Sequence, residues 1–63
     1  MQVTVKQARQ MAGLTQREMA DNLNVDRSTY IRLEKKPDSI TIGQARKISE
    51  ATGFSIDDIF FAT

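Results

Sequence analysis

The stretch "TQREMADNLNVDRSTYIRLEKK", residues 15–36, contains two short helix patterns with only a tight turn between them. Thr15 and Glu18 form a capping box at the start of the first pattern, and Asp26 is an N-cap at the start of the second. Only two residues lie between the last apolar residue of the first pattern and the second cap. Two short helices joined in this way form a helix-turn-helix unit, which we expect over about residues 16–36.

Similar capping signals elsewhere in the chain predict three more helices. Thr4 and Thr41 each stand three residues before a glutamine in a capping box, and Ser55 stands three residues before an acidic residue. Each signal precedes apolar residues at helical spacing. The predicted helices lie near residues 4–12, 16–23, 26–36, 42–52 and 55–61.

The residues between the predicted helices are of types that end helices. Gly13 and Gly53 stand where a left-handed residue should end the first and fourth helices, and Asn24 can do the same after the second. Pro37 closes the third helix, because proline cannot continue one. No stretch has the alternating pattern of a strand. We therefore expect an all-α fold, a compact arrangement of five helices, in a single domain over residues 1–63.

The absence of cysteine and histidine narrows the possible chemistry of this 63-residue chain. Disulfides, zinc sites built on sulfur or imidazole, thiol nucleophiles and histidine acid-base catalysis are excluded. The sequence also has no nucleophile-base pair and no glycine-rich phosphate loop, so we expect no enzyme activity, no metal and no cofactor. No apolar run approaches the roughly 18 residues that a membrane span needs, and the N-terminus lacks the pattern of a signal peptide. We expect a soluble, intracellular protein.

Charge is distributed unevenly along the chain, although the formal net charge is only +1. Residues 1–47 hold all nine Lys and Arg against five acids, a net charge of +4, whereas residues 48–63 carry −3. Four of the basic residues lie within "NVDRSTYIRLEKK", residues 24–36. This segregation indicates an anionic partner for the first part of the chain, and a solvated helix face is the alternative.

The two-helix stretch resembles the helix-turn-helix of the lambdoid-phage Cro and repressor family, also called the xenobiotic-response-element family of bacterial regulators. Gln16 matches the glutamine that opens the second helix in that family, and Ala20 matches the small residue where the two helices cross. The buried positions of the family are matched by Leu23, Val25, Tyr30 and Leu33. The closing "GFSIDDIF", residues 53–60, is similar to the last helix of the family. Asn24 and Lys36 depart from the pattern, because both stand where the family usually has glycine.

The resemblance implies a lambda-repressor-like fold and a sequence-specific, double-stranded-DNA-binding transcriptional regulator. It further implies a phage or bacterial repressor that binds a pseudo-palindromic operator as a homodimer. Such a protein would act in the cytoplasm of a bacterial cell, and we expect it to need no small-molecule ligand.

The resemblance also implies roles for individual residues. Three side chains of the third helix would face base edges: Arg27, Ser28 and Arg32. Gln16 and the loop after the third helix would touch phosphates, and Thr29 would help to anchor the DNA backbone. An ion pair between Arg9 and Glu34 would join the first and third helices.

Helical spacing independently places polar side chains on one face of the third helix. With about 100° of rotation per residue, five residues fall on the arc opposite Tyr30 and Leu33. They are Arg27, Ser28, Ile31, Arg32 and Lys35. Arginine can hold guanine O6 and N7 with two hydrogen bonds, so Arg27 and Arg32 are the first candidates for base reading. Ile31 is expected either to meet a thymine methyl group or to be an ordinary exposed isoleucine.

The other candidate contacts each have a simpler structural alternative. Lys35 and Lys36 are expected to touch phosphates, although they could be ordinary solvated charges. Gln16 has a structural role as the first helical residue, and its amide could also reach a phosphate. Phe61 points away from the apolar face of the last predicted helix. It is either a dimer contact or a ring that folds back over the domain.

A protein-interaction module, such as an antitoxin or a regulator antagonist, is the main functional alternative on the same fold. In such a module the basic face that holds Arg27 and Arg32 would have no DNA to bind. The DNA-binding interpretation gives that face a role, and it is the one that the residue pattern favours.

Overall fold

Helices account for most of the backbone between residues 3 and 61, the part of the chain that the computed structural model describes; the side chain of Phe61 lies outside it. The helices are α1 (Val5–Met11), α2 (Gln16–Leu23), α3 (Arg27–Lys35), α4 (Ile42–Thr52) and α5 (Asp57–Phe61), with a short 3-10 turn (Pro37–Ser39) between α3 and α4. The described residues contain no strand. The prediction of an all-α, five-helix fold is therefore confirmed.

Side-chain caps begin the helices, as the sequence predicts. The threonines Thr4, Thr15 and Thr41 each accept a hydrogen bond from the backbone N–H three residues later, at 3.0–3.1 Å. In each case the third residue returns a bond to the threonine N–H, which completes a capping box. Asp26 Oδ1 accepts from the N–H of Thr29 at 3.1 Å and caps α3. These caps satisfy N–H groups that a helix start would otherwise leave without partners.

The third helix ends one residue earlier than predicted. At its start Asp26 is the N-cap, as predicted, with an extended backbone (φ −76°, ψ 163°). Lys36 has already left the helix (φ −130°, ψ 77°), as a residue before proline tends to do. Pro37 does more than end α3, because it opens the 3-10 turn, which the Ser39 N–H closes by donating to the Lys36 carbonyl at 3.0 Å. This turn reverses the chain before α4.

The last helix also departs from the prediction of a regular helix over 55–61. Ser55 Oγ accepts from the Asp58 N–H at 3.1 Å, as a cap should, but the backbone from Asp57 onward is wound as a π-helix. The Asp58 carbonyl accepts a hydrogen bond from the Val3 N–H at 3.1 Å. Ile59 is buried in the core. The two ends of the described chain are therefore joined both by a backbone bond and by packing.

One apolar core lies between the helices. Its buried members are Val3, Val5, Ala8, Met19, Ala20, Leu23, Tyr30, Leu33, Ile48 and Ile59. Helix α2 is central, since it packs against both α3 and α4. Ala20, 2% exposed, is small enough to let the neighbouring helices approach closely. No helix among the described residues is long and apolar enough to cross a membrane.

The turn between α2 and α3 depends on one left-handed residue. Asn24 has φ 57° and ψ 42°, and its N–H donates to the Asp21 carbonyl at 3.1 Å. The next N–H, that of Val25, donates to the Ala20 carbonyl at 3.0 Å. Asparagine replaces the usual glycine here without difficulty, because it adopts this conformation more readily than other side chains. The turn therefore places Asp26 at the N-cap of α3.

Replacing Asn24 by valine should lower the free energy of unfolding by about 1–2 kcal/mol, because a β-branched side chain is strained in the left-handed conformation. Asn24→Gly should stay within about 0.5 kcal/mol of the parent, since glycine adopts that conformation freely. Urea unfolding measures both changes.

The matched control for this prediction is Asn22→Val, at an exposed position inside α2. Asparagine and valine have similar helix propensities, so this variant should change stability by less than about 0.5 kcal/mol. An equal loss at both positions would show that the left-handed turn is not the cause.

Candidate nucleic-acid interface

A buried carboxylate on α3 collects hydrogen bonds from three helices. Glu34 Oε2 accepts from Arg9 Nε at 2.6 Å and from the Tyr30 hydroxyl at 2.5 Å, while its Oε1 accepts from Gln16 Nε2 at 3.2 Å. The side chains of Arg9 and Glu34 are only 9% and 6% exposed. Arg9 also donates through Nη1 to the Leu14 carbonyl at 2.9 Å. We call Glu34, Arg9, Tyr30 and Gln16 the Glu34 cluster.

The pKa values within the Glu34 cluster follow from this geometry. Burial raises the pKa of Glu34, but hydrogen bonds from Arg9, Tyr30 and Gln16 outweigh burial and hold the pKa below its ordinary value. The hydrogen bond to Glu34 raises the pKa of Arg9, and burial raises the pKa of Tyr30, with its bond to Glu34 adding to the effect. At neutral pH the cluster therefore holds one carboxylate, one guanidinium and one neutral phenol.

The Glu34 cluster determines how α3 is oriented on the rest of the protein. Arg9 lies on α1, Gln16 is the first residue of α2, and Tyr30 and Glu34 both lie on α3. The pair that the family resemblance implies, Arg9 with Glu34, is present in the structure. Tyr30 and Gln16 complete it, and they were not predicted as partners. The i, i+4 spacing of Tyr30 and Glu34 could have indicated the first contact, whereas Gln16 is 18 residues from Glu34 and gave no local signal.

The opposite face of α3 is largely exposed. Arg27, Ser28, Arg32 and Lys35 are exposed there, and Lys36 is exposed just beyond the helix. Ile31 is half-buried, so it is less open than the helical arc alone indicates. Thr29 is also half-buried, at the edge of this face. We call this surface the basic face of α3. It consists of Arg27, Ser28, Thr29, Ile31, Arg32, Lys35 and Lys36.

Gln16 links the buried cluster to the basic face of α3. Its amide nitrogen must point to Glu34, because a carboxylate can only accept. The amide oxygen consequently faces outward, and Arg27 Nη2 lies 3.5 Å from it in donor geometry. One N–H of the Gln16 amide is left over. A chain of hydrogen bonds thus runs from Arg9 through Glu34 and Gln16 to Arg27.

Two hydroxyl groups on α3 have defined partners. Ser28 Oγ donates to Asp26 Oδ2 at 3.2 Å. Thr29 Oγ1 instead accepts from Arg32 Nη2 at 3.5 Å. The Ser28 contact could have been anticipated from its position two residues after an N-cap aspartate, a spacing at which hydroxyls and carboxylates meet. The Thr29 contact follows from the i, i+3 spacing on a helix.

A shallow depression of about 350 Å³ flanks the basic face of α3. It is lined by Thr29, Arg32, Leu33, Lys36 and Ser39. The depression lies where α3 meets the 3-10 turn, so it brings two cationic side chains and two hydroxyl groups to one concave surface. Among residues 3–61 there is no group of acidic side chains that could hold a metal ion.

Acid should destabilise this fold through Glu34. Its folded pKa lies below the ordinary value of 4.5, so the ionised carboxylate stabilises the fold above that pH, and this contribution is lost as the pH falls through the folded value. Glu34→Gln should cost about 3–5 kcal/mol at pH 7, because Arg9 loses its charged partner, and less at acidic pH, where the parent carboxylate becomes protonated as well. Urea unfolding at pH 7 and at pH 3 measures the difference.

Glu50→Gln, at an exposed position on α4, is the matched control, and its stability should depend on pH as that of the parent does. The stability of Glu34→Gln should still depend on pH to some extent, because hydrogen bonds at their caps also lower the pKa values of Glu18 and Asp26. An unchanged difference between pH 7 and pH 3 in Glu34→Gln would contradict the prediction.

Comparisons with known proteins agree with this architecture. A family model described as helix-turn-helix matches residues 5–59. A protein of Methanothermobacter thermautotrophicus, described as an uncharacterized HTH-type transcriptional regulator, is 39% identical over 61 residues, which cover 95% of this chain and 88% of the relative. No solved structure gave a significant match. The chain belongs to the helix-turn-helix family, in the xenobiotic-response-element class of DNA-binding transcription regulators.

Proposed function

We propose that the protein is a repressor that binds a pseudo-palindromic double-stranded DNA operator as a homodimer, with α3 of each subunit in the major groove. The observation that carries this proposal is the basic face of α3, which presents long cationic side chains outward while Glu34 on the other side anchors the same helix to α1 and α2. A helix that reads bases must have its rotation held in this way, since base contacts depend on which side chains face the groove.

Base reading is assigned to side chains along the exposed side of α3, from its first turn to its last. Arg27 and Arg32 are proposed to grip guanine O6 and N7, for which a guanidinium has matching donors. The bond from Arg27 to Gln16 supports this role, because it limits the directions in which the arginine can point. Ile31 is proposed to meet a thymine methyl group. Its half-buried position leaves a small apolar surface that suits such a contact.

Phosphate contacts are assigned to the edges of the basic face. Gln16 has one amide N–H left after its bond to Glu34, so it is suited to donate to a phosphate oxygen. Thr29, half-buried at the edge of the face, is proposed to contact the DNA backbone beside it. Lys35 and Lys36 are exposed and add two positive charges. These contacts would set the register of α3 without reading sequence.

Repression would follow from occupancy alone, with no catalytic step. A formal net charge of +1 gives weak general attraction to DNA, so selectivity would rest on a few side chains and on the joining of two half-sites. Selection of bound sequences from a random duplex pool, with titration at several salt concentrations, tests the proposal. An enriched, two-fold symmetric sequence is expected. Failure to enrich any sequence would favour a protein-interaction module instead.

Arg32→Ala should relax specificity at one base position by about 1–3 kcal/mol, because one set of base contacts is lost. Lys36→Ala should weaken binding to all sequences and reduce the salt slope by about one, because one phosphate contact is lost. Fluorescence anisotropy with matched and mutated operators at several salt concentrations separates the two effects.

The control for these variants is Lys47→Ala, which removes an exposed lysine from α4 rather than from the basic face of α3. Its binding and salt slope should equal those of the parent. If Lys47→Ala and Lys36→Ala lowered binding equally, general attraction would explain the effect better than a contact by α3.

If the protein binds DNA as a dimer, its affinity should depend on the spacing of the two half-sites. Two half-sites whose centres are one helical turn apart, about 10 base pairs, should bind much more tightly than a single half-site or two sites separated by an extra half turn.

Phe61 is proposed as a dimer contact, although its side chain lies outside the described residues. Phe61→Ser should reduce the advantage of the paired sites and leave single-site binding unchanged; a loss of stability instead would indicate a ring folded over its own domain.

A further inference from the structure

The Ser28 hydroxyl at the start of α3 lies within hydrogen-bond distance of the carboxylate that caps the helix. Its Oγ lies 3.2 Å from Asp26 Oδ2. Hydrogen bonds to the Asp26 carboxylate, first from Thr29 and then from Ser28, lower its pKa, so at neutral pH it carries no proton to donate. Ser28 must therefore be the donor in this bond. A serine has a single hydroxyl proton, and here that proton points back toward the cap.

The outward side of the same hydroxyl carries only lone pairs. Ser28 is exposed, so these lone pairs are accessible to a partner approaching the basic face of α3. A base that approaches Ser28 from this side therefore meets an acceptor.

In the major groove each base offers a characteristic set of donors and acceptors. Adenine N6 and cytosine N4 carry exocyclic amino groups and can donate, whereas guanine presents O6 and N7 and thymine presents O4, all of which accept. We infer that Ser28 selects a base whose amino group lies in the major groove, adenine or cytosine, at one operator position. This inference rests on the proposed function, since it names the chemistry that one residue of that surface recognises.

The charge of Asp26 reinforces this selection. A carboxylate 3.2 Å behind the hydroxyl makes the Ser28 oxygen a better acceptor and repels the electronegative edge of guanine or thymine. Arg27, next to Ser28, has only hydrogen-bond donors, so it requires a base edge that accepts, such as that of guanine. Neighbouring residues of α3 therefore impose opposite requirements, which would make a shift of register along the DNA unfavourable.

Base analogues test the inference directly. Selection from a random pool with the parent and with Ser28→Ala identifies the operator position whose preference depends on Ser28. That position should be adenine or cytosine in the parent. Replacing it by the analogue without the amino group, purine for adenine or 2-pyrimidinone for cytosine, should weaken parent binding about 3- to 10-fold, as expected for one hydrogen bond. Binding by Ser28→Ala should not change.

Asp26→Asn provides a second test that keeps the hydroxyl group. Asparagine caps helices about as well as aspartate, so α3 should remain folded, which urea unfolding checks. Its amide oxygen would take over the bond from the Thr29 N–H, leaving the amide nitrogen to face Ser28 as a donor. The Ser28 proton would then be free to point outward. Asp26→Asn should accept guanine or thymine at the Ser28 position with less than about a 3-fold loss.

The outcomes separate this inference from the proposed function. A Ser28-dependent preference for guanine or thymine would overturn the inference while leaving DNA recognition intact. The inference would also be overturned, with DNA recognition intact, if no operator position depended on Ser28. It would be overturned as well if removal of the amino group weakened binding by the parent and by Ser28→Ala equally. Failure of the pool to yield any enriched duplex would overturn the proposed function, and the inference with it.

Discussion

The buried carboxylate of Glu34 is the group on which the arrangement of α1, α2 and α3 depends. Its negative charge is taken out of water, and this is tolerable only because Arg9, Tyr30 and Gln16 all donate to it. Each donor comes from a different position along the chain, so the carboxylate joins α1, α2 and α3 at one point. Loss of any partner would leave a buried polar group without its bond, a larger penalty than the loss of an ordinary surface pair.

The same interaction reaches the surface through the Gln16 amide. The carboxylate dictates which end of the amide points inward, and the outward oxygen then receives Arg27. A buried charge thereby influences the direction of an exposed arginine on another helix. At the other end of the turn, Asp26 caps α3 and holds the Ser28 proton. Groups that stabilise the fold therefore also determine the chemical character of the surface that α3 presents.

Much of the fold could be predicted because its signals are local. The threonine caps, Asp26 and the left-handed Asn24 act over three or four residues, and all are found where the sequence places them. The differences from the prediction lie at two points later in the chain. Pro37 shortened α3 and opened a 3-10 turn, and the last helix, bonded to Val3, is wound as a π-helix rather than an α-helix.

The sequence by itself determined the helices, their order and the arc of α3 that carries Arg27, Ser28 and Arg32, because capping and helical periodicity are properties of short segments. Only the tertiary structure decided which groups satisfy Glu34, since Arg9 and Gln16 are 25 and 18 residues away from it along the chain. It also decided that the Ser28 hydroxyl donates to Asp26, which leaves its oxygen outward as an acceptor. Hydrogen-bond direction depends on the partners that folding brings together. Composition and periodicity do not identify those partners.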